Sequence, residues 1–434
     1  MSGRRASLVG GLLLLVLVAV NLRPAIVAVG PVLTDIQDDF HLSGTAAGAL
    51  TTLPLAFFGV YGLLTPFLRR QPRSETLLVA AMALLVVALL GRVLDAPAAL
   101  FAGSLVAGVA ISLGNIAIPA LIKRDHPDSI TLVTSIYTVA ITSSAALSAA
   151  VVIPLRDAMG GGWRPPLALL ALPAALAGLA WLPRLLRAPA LVEPAPAPAS
   201  ESESAPAQAS APAQTSAPAV PAPSRRGAAA AVWRSGLAWQ VTFFMGLQSL
   251  LAYVTTGWLA TICLDRGMSA ASAGYVLALS NLLQAGGSLA VPFLARRMRD
   301  QRPLVLIAAT LTIAGFAGVT WAPLGSVWVW SAVLGFGQGV GFATALSFIG
   351  LRAHDARVAA QLSGMAQGCG YLIAALGPLA VGALHDATHG WNVPIAAVLV
   401  AAAALLIPGL AAGRNRTVRA PAAPSPAPPA TVRR

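Results

Sequence analysis

The chain has 434 residues, 57% of them hydrophobic and 10% charged, a balance that excludes a soluble fold built round one core and makes lipid the solvent for most of the protein. A formal charge of +13 invites a nucleic-acid binder, but the arginines fall between apolar runs, so the excess is a topology signal and no nucleic acid is expected as a partner.

Twelve apolar runs are each long enough to cross a hydrocarbon core of about 30 Å. In chain order they are predicted near 8–32, 47–68, 75–95, 98–121, 129–153, 164–186, 235–261, 271–294, 302–322, 325–350, 358–384 and 390–412. The first begins like a secretory signal, with Arg4 and Arg5 ahead of an apolar run, but no small-residue cleavage site follows, so it reads as a retained helix. Inside it stand Asn21, Arg23 and Pro24. An arginine at the centre of a lone spanning helix costs roughly 2.5–3.5 kcal/mol, which makes Arg23 the leading candidate for a transport pathway. Pro24 removes a backbone donor and disfavours helical geometry at Arg23, so the helix is expected to break there. No Asp or Glu lies deep in any predicted span to pair with Arg23, and an unpaired guanidinium invites an anion or an electron-rich polar group.

The fourth span carries Ser112 and Asn115, the seventh Gln248, Tyr253 and Trp258, the eighth Asn281, Gln284 and Ser288. In the eleventh, Ser363, Gln367 and Tyr371 stand four residues apart, along one helix face. Gln248, Tyr253 and Gln367 read equally as an interhelical hydrogen bond or a solute contact, and the others read first as interhelical hydrogen bonds. Gly335, Gly337, Gly339 and Gly341 in "GFGQGVGF" read as close helix packing or a gating segment, since no strand or P-loop Lys accompanies them. The five histidines fall in loops or at span ends, and Cys263 and Cys369 lack ligand neighbours. No metal, cofactor or catalytic residue is therefore expected, and the chain does not read as an enzyme.

Residues 43–70 repeat at 269–296 with a constant offset, which matches Gly48 with Gly274, Pro66 with Pro292, Phe67 with Phe293 and Arg70 with Arg296. Both copies run in the same direction, which predicts an all-α membrane protein of twelve transmembrane helices in two parallel-repeat six-helix bundles. The domains are then 1–187, an N-terminal bundle; 188–234, a disordered cytoplasmic linker rich in Ala, Pro and Ser; 235–412, a C-terminal bundle; and 413–434, a disordered cytoplasmic tail. One set of loops holds most of the basic residues and the other only Arg92, Arg156, Arg164 and Arg266, so both termini are expected in the cytoplasm of a multi-pass inner-membrane protein.

The stretches "NLRPAIVAVGPVLTDI", "AAGALTTLPLAFFGVYGLLTP", "GNIAIPALIKRDHP", "SIYT", "GGWR", "QSLLAYVTTGWL", "GFGQGVGFATAL" and "SGMAQGCGYLIAALGP" resemble the cyanate and nitroimidazole transporter branch of the major facilitator superfamily. The resemblance covers nearly all of the membrane portion and implies secondary transport by alternating access, with a central cavity that the first-span arginine faces. The family's loop signature, an Asp before a basic cluster, is degenerate: Pro66 and Pro292 stand in that stretch, followed by Arg69, Arg70, Arg296 and Arg297. An inner gate locked by that Asp is therefore not carried over.

The reading expects a monomer in the lipid bilayer that moves a small anionic or electron-rich polar solute, with a coupling proton as a candidate partner. Its expected solute contacts are Arg23, Asn21, Asn115, Tyr137, Gln248, Tyr253, Trp258, Gln367 and Tyr371. The alternatives are an exporter of uncharged aromatic drugs, which would rest on Trp258, Tyr253, Phe243 and Phe244, and a membrane sensor signalling through the linker. Asp35, near the end of the first span, is the best side-chain candidate for carrying a proton.

Overall fold

The computed structural model describes residues 2–64, 73–126, 130–187, 232–354 and 356–418. Most of the expected linker, the tail beyond Val418, and Pro66, Arg69 and Arg70 lie outside the described residues.

Among the described residues twelve principal helices follow in order. They are α1 (Ser2–Leu22), α2 (Gly44–Leu64), α3 (Ser74–Arg92), α4 (Pro97–Asp125), α5 (Ile130–Ala158), α6 (Ala171–Arg187, preceded by a short turn Arg164–Leu169), α7 (Gly236–Asp265), α8 (Ala270–Ala295), α9 (Arg302–Trp321), α10 (Val327–Leu351), α11 (Ala356–Thr388) and α12 (Asn392–Ala404, extended by Leu406–Ala412). Eleven of them hold stretches long and apolar enough to cross a membrane, and α2 contributes a shorter apolar stretch, Gly44–Val60. Among the described residues the only β pairing is an isolated bridge between Ala353 and Val418. The chain enters α1 and leaves α12 on one side, the termini face; the side holding the α1–α2, α7–α8 and α11–α12 connections is the far face.

The repeat is visible in three dimensions. Ser43 and Ser269 both cap their helices, the Ser43 Oγ accepting from the Ala46 amide (3.2 Å) and the Ser269 Oγ from the Ser272 amide (3.3 Å). The matched glycines lie where the halves press together: a Cβ on Gly48 would stand 2.4 Å from the Pro378 carbonyl of α11, and one on Gly274 2.8 Å from the Ala149 carbonyl of α5. Thus α2 packs on α11, and α8 on α5, as a two-fold relation between halves requires.

Two boundaries differ from the sequence reading. After α1 the chain does not pass into a loop near residue 32 but continues through Pro24–Val27, Gly30–Val32 and a helix Leu33–Phe40. Here Leu33 and Ile36 are buried, Asp35 pairs with Arg156 (2.6 Å), and Asp39 accepts from Trp163 Nε1 (3.0 Å).

The tail, expected to be free from residue 413, is bound through Val418. The Val418 amide donates to the Arg352 carbonyl (2.7 Å) and Asn415 Nδ2 to the Arg299 carbonyl (3.0 Å). Arg352 organises this end: it is only 3% exposed, and its guanidinium donates to the Ala412 carbonyl (2.7 Å), the Gly413 carbonyl (3.3 Å) and the Gln301 side chain. Arg352→Met is expected to cost about 3 kcal/mol, because several buried acceptors lose a charged donor at once. The thermal unfolding midpoint in detergent measures this, and an unchanged midpoint would mean that water replaces the guanidinium without loss.

Candidate functional site

Pro24 cannot donate to the carbonyl four residues back, and α1 ends at Leu22. Beyond the break, the Ile26 and Val27 amides both turn to the Arg23 carbonyl (3.0 Å each), and Val29 donates to Ile26, not to Ala25. The Ala25 carbonyl so released is taken by Arg92 of α3, a buried side chain that also donates to Ser104 Oγ (3.1 Å). The neighbouring helix thus satisfies the irregular backbone, as a membrane interior demands.

The break places Arg23 in a cavity of about 40 Å³ between the halves, with space for about three waters. Thr138 and Thr142 of α5 complete the wall on its own side. From the other half α7 presents Gln248, Ala252 and Thr256 at helical spacing, with Ser249 and Tyr253 beside them. Gln284 and Ser288 of α8, Phe342 of α10 and Tyr371 of α11 close the rest. The Arg23 guanidinium carbon lies 6.0 Å from the centre of the Tyr253 ring, a cation–π pair that spans the two halves. Tyr371 meets Phe58 of α2 edge to face, with ring centres 5.7 Å apart. No carboxylate pairs with Arg23 among the described residues.

Gln248 is 4% exposed, and its amide orientation follows from its neighbours. Nε2 donates to the Met245 carbonyl (3.2 Å) and to Ser249 Oγ (2.7 Å), where a carbonyl oxygen would be repelled by Met245. Its Oε1 is buried without a hydrogen-bond partner among the described residues.

Of the residues expected from sequence, Arg23, Gln248, Tyr253 and Tyr371 line the cavity. The other five do not. Asn21 faces away, its Nδ2 donating to the Leu17 carbonyl (2.7 Å) and toward the Pro173 carbonyl of α6 (3.4 Å). Asn115 accepts from the Tyr137 hydroxyl (3.2 Å), which ties α4 to α5 near the cavity without lining it. Gln367 donates to Ser363 of its own helix (2.8 Å). Trp258 packs at the far face, where its Nε1 donates to the Pro378 carbonyl (2.9 Å) and its ring meets Trp391.

Thr138, Thr142, Ser249 and Thr256 line the cavity but had not been singled out. A threonine hydroxyl in a helix satisfies itself on the preceding turn, as Thr142 does on Thr138 (2.9 Å) and Thr256 on Ala252 (3.0 Å), so it costs little and marks the sequence only by its spacing. The i, i+4 spacing of Thr138 with Thr142 was the available signal.

On its far side the cavity is sealed. Thr52 of α2 donates to the Ala375 carbonyl of α11 (2.9 Å), and a Cβ on Gly30 would stand 2.5 Å from the Thr256 carbonyl. Gly44 and Gly382 also meet here, with the Asp386 carboxylate at the start of α2.

The sequence profile of the Major Facilitator Superfamily matches residues 12–378. The 2-nitroimidazole transporter of Escherichia coli (strain K12) is 37% identical over 96% of this chain and 98% of its own length. The cyanate transport protein CynX of the same organism is 28% identical, over 86% of this chain and 90% of its own. Among solved structures, a bacterial homolog of the human lysosomal transporter Spinster superposes with a TM-score of 0.68 at 16% identity, covering 95% of this chain and 97% of the other.

Proposed function

The chain belongs to the Major Facilitator Superfamily, and from that premise we propose that it moves a small anionic or electron-rich polar solute by alternating access, with Arg23 as the group that recognises it. As a member of that family it is a membrane transporter of a small solute. The observation that carries the finer reading is a half-buried guanidinium in the central cavity with no carboxylate partner among the described residues. A permanent charge held out of bulk water favours an anion or a polarised oxygen edge beside it. The unpartnered Gln248 Oε1 adds an acceptor, which suits a solute that also offers an N–H or O–H donor. Two relatives are named for compounds of this kind, one a nitro-bearing ring with an N–H and the other a small anion.

The aromatic-drug reading finds less support. Phe244 is buried against Phe348, Phe243 is 46% exposed beside Trp239, and Trp258 lies in the seal, which leaves only Tyr253 of that group in the cavity. Among the described residues the cavity lining includes no Asp, Glu or His, and Asp35 is engaged by Arg156, so any coupling proton is best carried by the solute itself.

The arginine distribution supports placing the termini face in the cytoplasm of the inner membrane, which makes the sealed far face external. With Cys263 and Cys369 replaced by alanine, Met159→Cys is expected to react with an impermeant thiol reagent in intact cells and Arg297→Cys only after lysis. The reverse pattern would invert the topology.

The function is tested with purified protein in liposomes, by counterflow of labelled cyanate and of labelled 2-nitroimidazole. Saturable uptake of at least one, inhibited by the other, is expected. If neither moves nor competes while lipophilic aromatic compounds do, the reading fails.

A further inference from the structure

We infer that Asp386 is the gate residue of the transport cycle: its carboxylate, carried by one half, caps the first turn of α2 in the other half and holds the far face shut. This does not rest on the identity of the solute. The Asp386 Oδ1 accepts from the Gly44 amide (2.6 Å), and Oδ2 accepts from both the Thr45 amide (2.7 Å) and the Thr45 hydroxyl (2.7 Å). Amides in the first turn of a helix have no partner within it, and the helix dipole is positive there, so a carboxylate is the strongest side chain to set against them. The bonds join residues 44–45 of the first half to residue 386 of the second, so they must break whenever the far face opens.

The local sequence is built round this contact. A Cβ on Gly44 would stand 2.6 Å from the Asp386 Oδ1, and one on Gly382, a turn before Asp386, 2.1 Å from the Gly44 carbonyl. Glycine at both positions lets the carboxylate reach the backbone. The internal repeat makes the contact more specific, because the related seam is built differently. There α8 is capped by its own Ser269, and Asp157, which like Asp386 closes its helix ahead of a tryptophan, pairs with Arg156 on its own helix (3.0 Å). Among the described residues the charged cap across the halves thus occurs at one seam of a symmetric pair. α2 keeps its own cap, Ser43, so it does not need Asp386 in order to be a helix. The carboxylate therefore serves the closed arrangement of the two halves.

A carboxylate on a helix N-terminus, set between α2 and α11, favours whichever state closes its own face. Here it favours the state sealed at the far face.

The test uses the full chain with Cys263 and Cys369 replaced by alanine and spin labels at Met159→Cys and Gly325→Cys, far-face sites in opposite halves that are both exposed. Pulsed electron resonance in lipid reads the ratio of long-distance to short-distance populations. Asp386→Asn keeps the shape and loses the charge; it should raise that ratio roughly tenfold, as expected for loss of charge-assisted bonds to a helix terminus. Gly44→Ala keeps the charge and displaces the carboxylate, and should do the same. Thr45→Val removes one bond of three and should fall between. A purely structural role would lower the melting temperature without moving the ratio, so an unchanged ratio in both Asp386→Asn and Gly44→Ala overturns the inference. Should Asp386→Asn fail to insert, Gly44→Ala and Thr45→Val decide it by the same readout.

Discussion

Arg23→Gln is expected to weaken solute binding about 100-fold in the purified, folded protein, because it removes the one cation found among the described residues of the cavity lining and leaves a carbonyl and an amide in its place. Arg23→Lys separates two roles for the charge. A lysine keeps the charge but loses the planar fork, so a solute held by two parallel hydrogen bonds should lose most of its affinity, and one held by field alone should keep much of it. Isothermal titration with each variant beside wild type reads the affinities, and thermal unfolding controls for packing. The Arg23–Tyr253 pair also joins the halves, so a modest fall in melting temperature is expected in Arg23→Gln. Wild-type affinity in that variant would remove Arg23 from recognition and shift attention to Gln248 and Tyr371.

The second large effect is structural. Gly339→Val should leave little folded protein, with a destabilisation of at least about 3 kcal/mol. A Cβ on Gly339 would stand 2.0 Å from the Gln284 carbonyl, one on Gly335 2.1 Å from the Ser280 carbonyl, and one on Gly287 2.1 Å from the Phe336 carbonyl. At these points α8 and α10 touch backbone to backbone, and Ser288 Oγ donates to the Gly339 carbonyl across the contact (3.0 Å). No rotamer change relieves a clash with a main-chain oxygen, so the helices must part. Gly341 is the internal control: its Cβ would meet the Ala308 methyl at 3.5 Å, ordinary contact, and Gly341→Ala should be close to neutral. Yield of monodisperse protein and melting temperature in detergent distinguish the two. Since Gln284 and Ser288 also line the cavity, the glycine contact fixes the position of that wall.

The fold was legible because lipid imposes a length rule: a run of apolar residues announces a span whatever its neighbours do. The break at Arg23 was legible for a similar reason, since proline acts on its own backbone. Direction was harder to read. Trp258, Asn21 and Gln367 are polar-tipped residues in spans, as Gln248 and Tyr253 are, and only packing separates those that serve a carbonyl from those that meet the cavity. α7 shows why: it is buried nearly all round, from Val241 to Cys263, so it has no polar face from which to judge orientation. The helix Leu33–Phe40 was missed for a different reason. The partners of its acids, Arg156 and Trp163, lie more than a hundred residues away, so the apolar run alone set the end of the span near residue 32.

The glycine contacts along α2 and α11 bear on how transport should respond to heat. Where Gly44, Gly48 and Gly382 press main chain against main chain, the seam has few side chains that could slide or trade partners as it loosens. Parting the helices there wets peptide groups that the closed seam holds out of water, and a change in wetted surface changes the heat capacity of the opened state. The free-energy gap between the two states then bends with temperature and does not run straight. A plot of the logarithm of turnover against inverse temperature should therefore curve, even where no lipid transition intervenes.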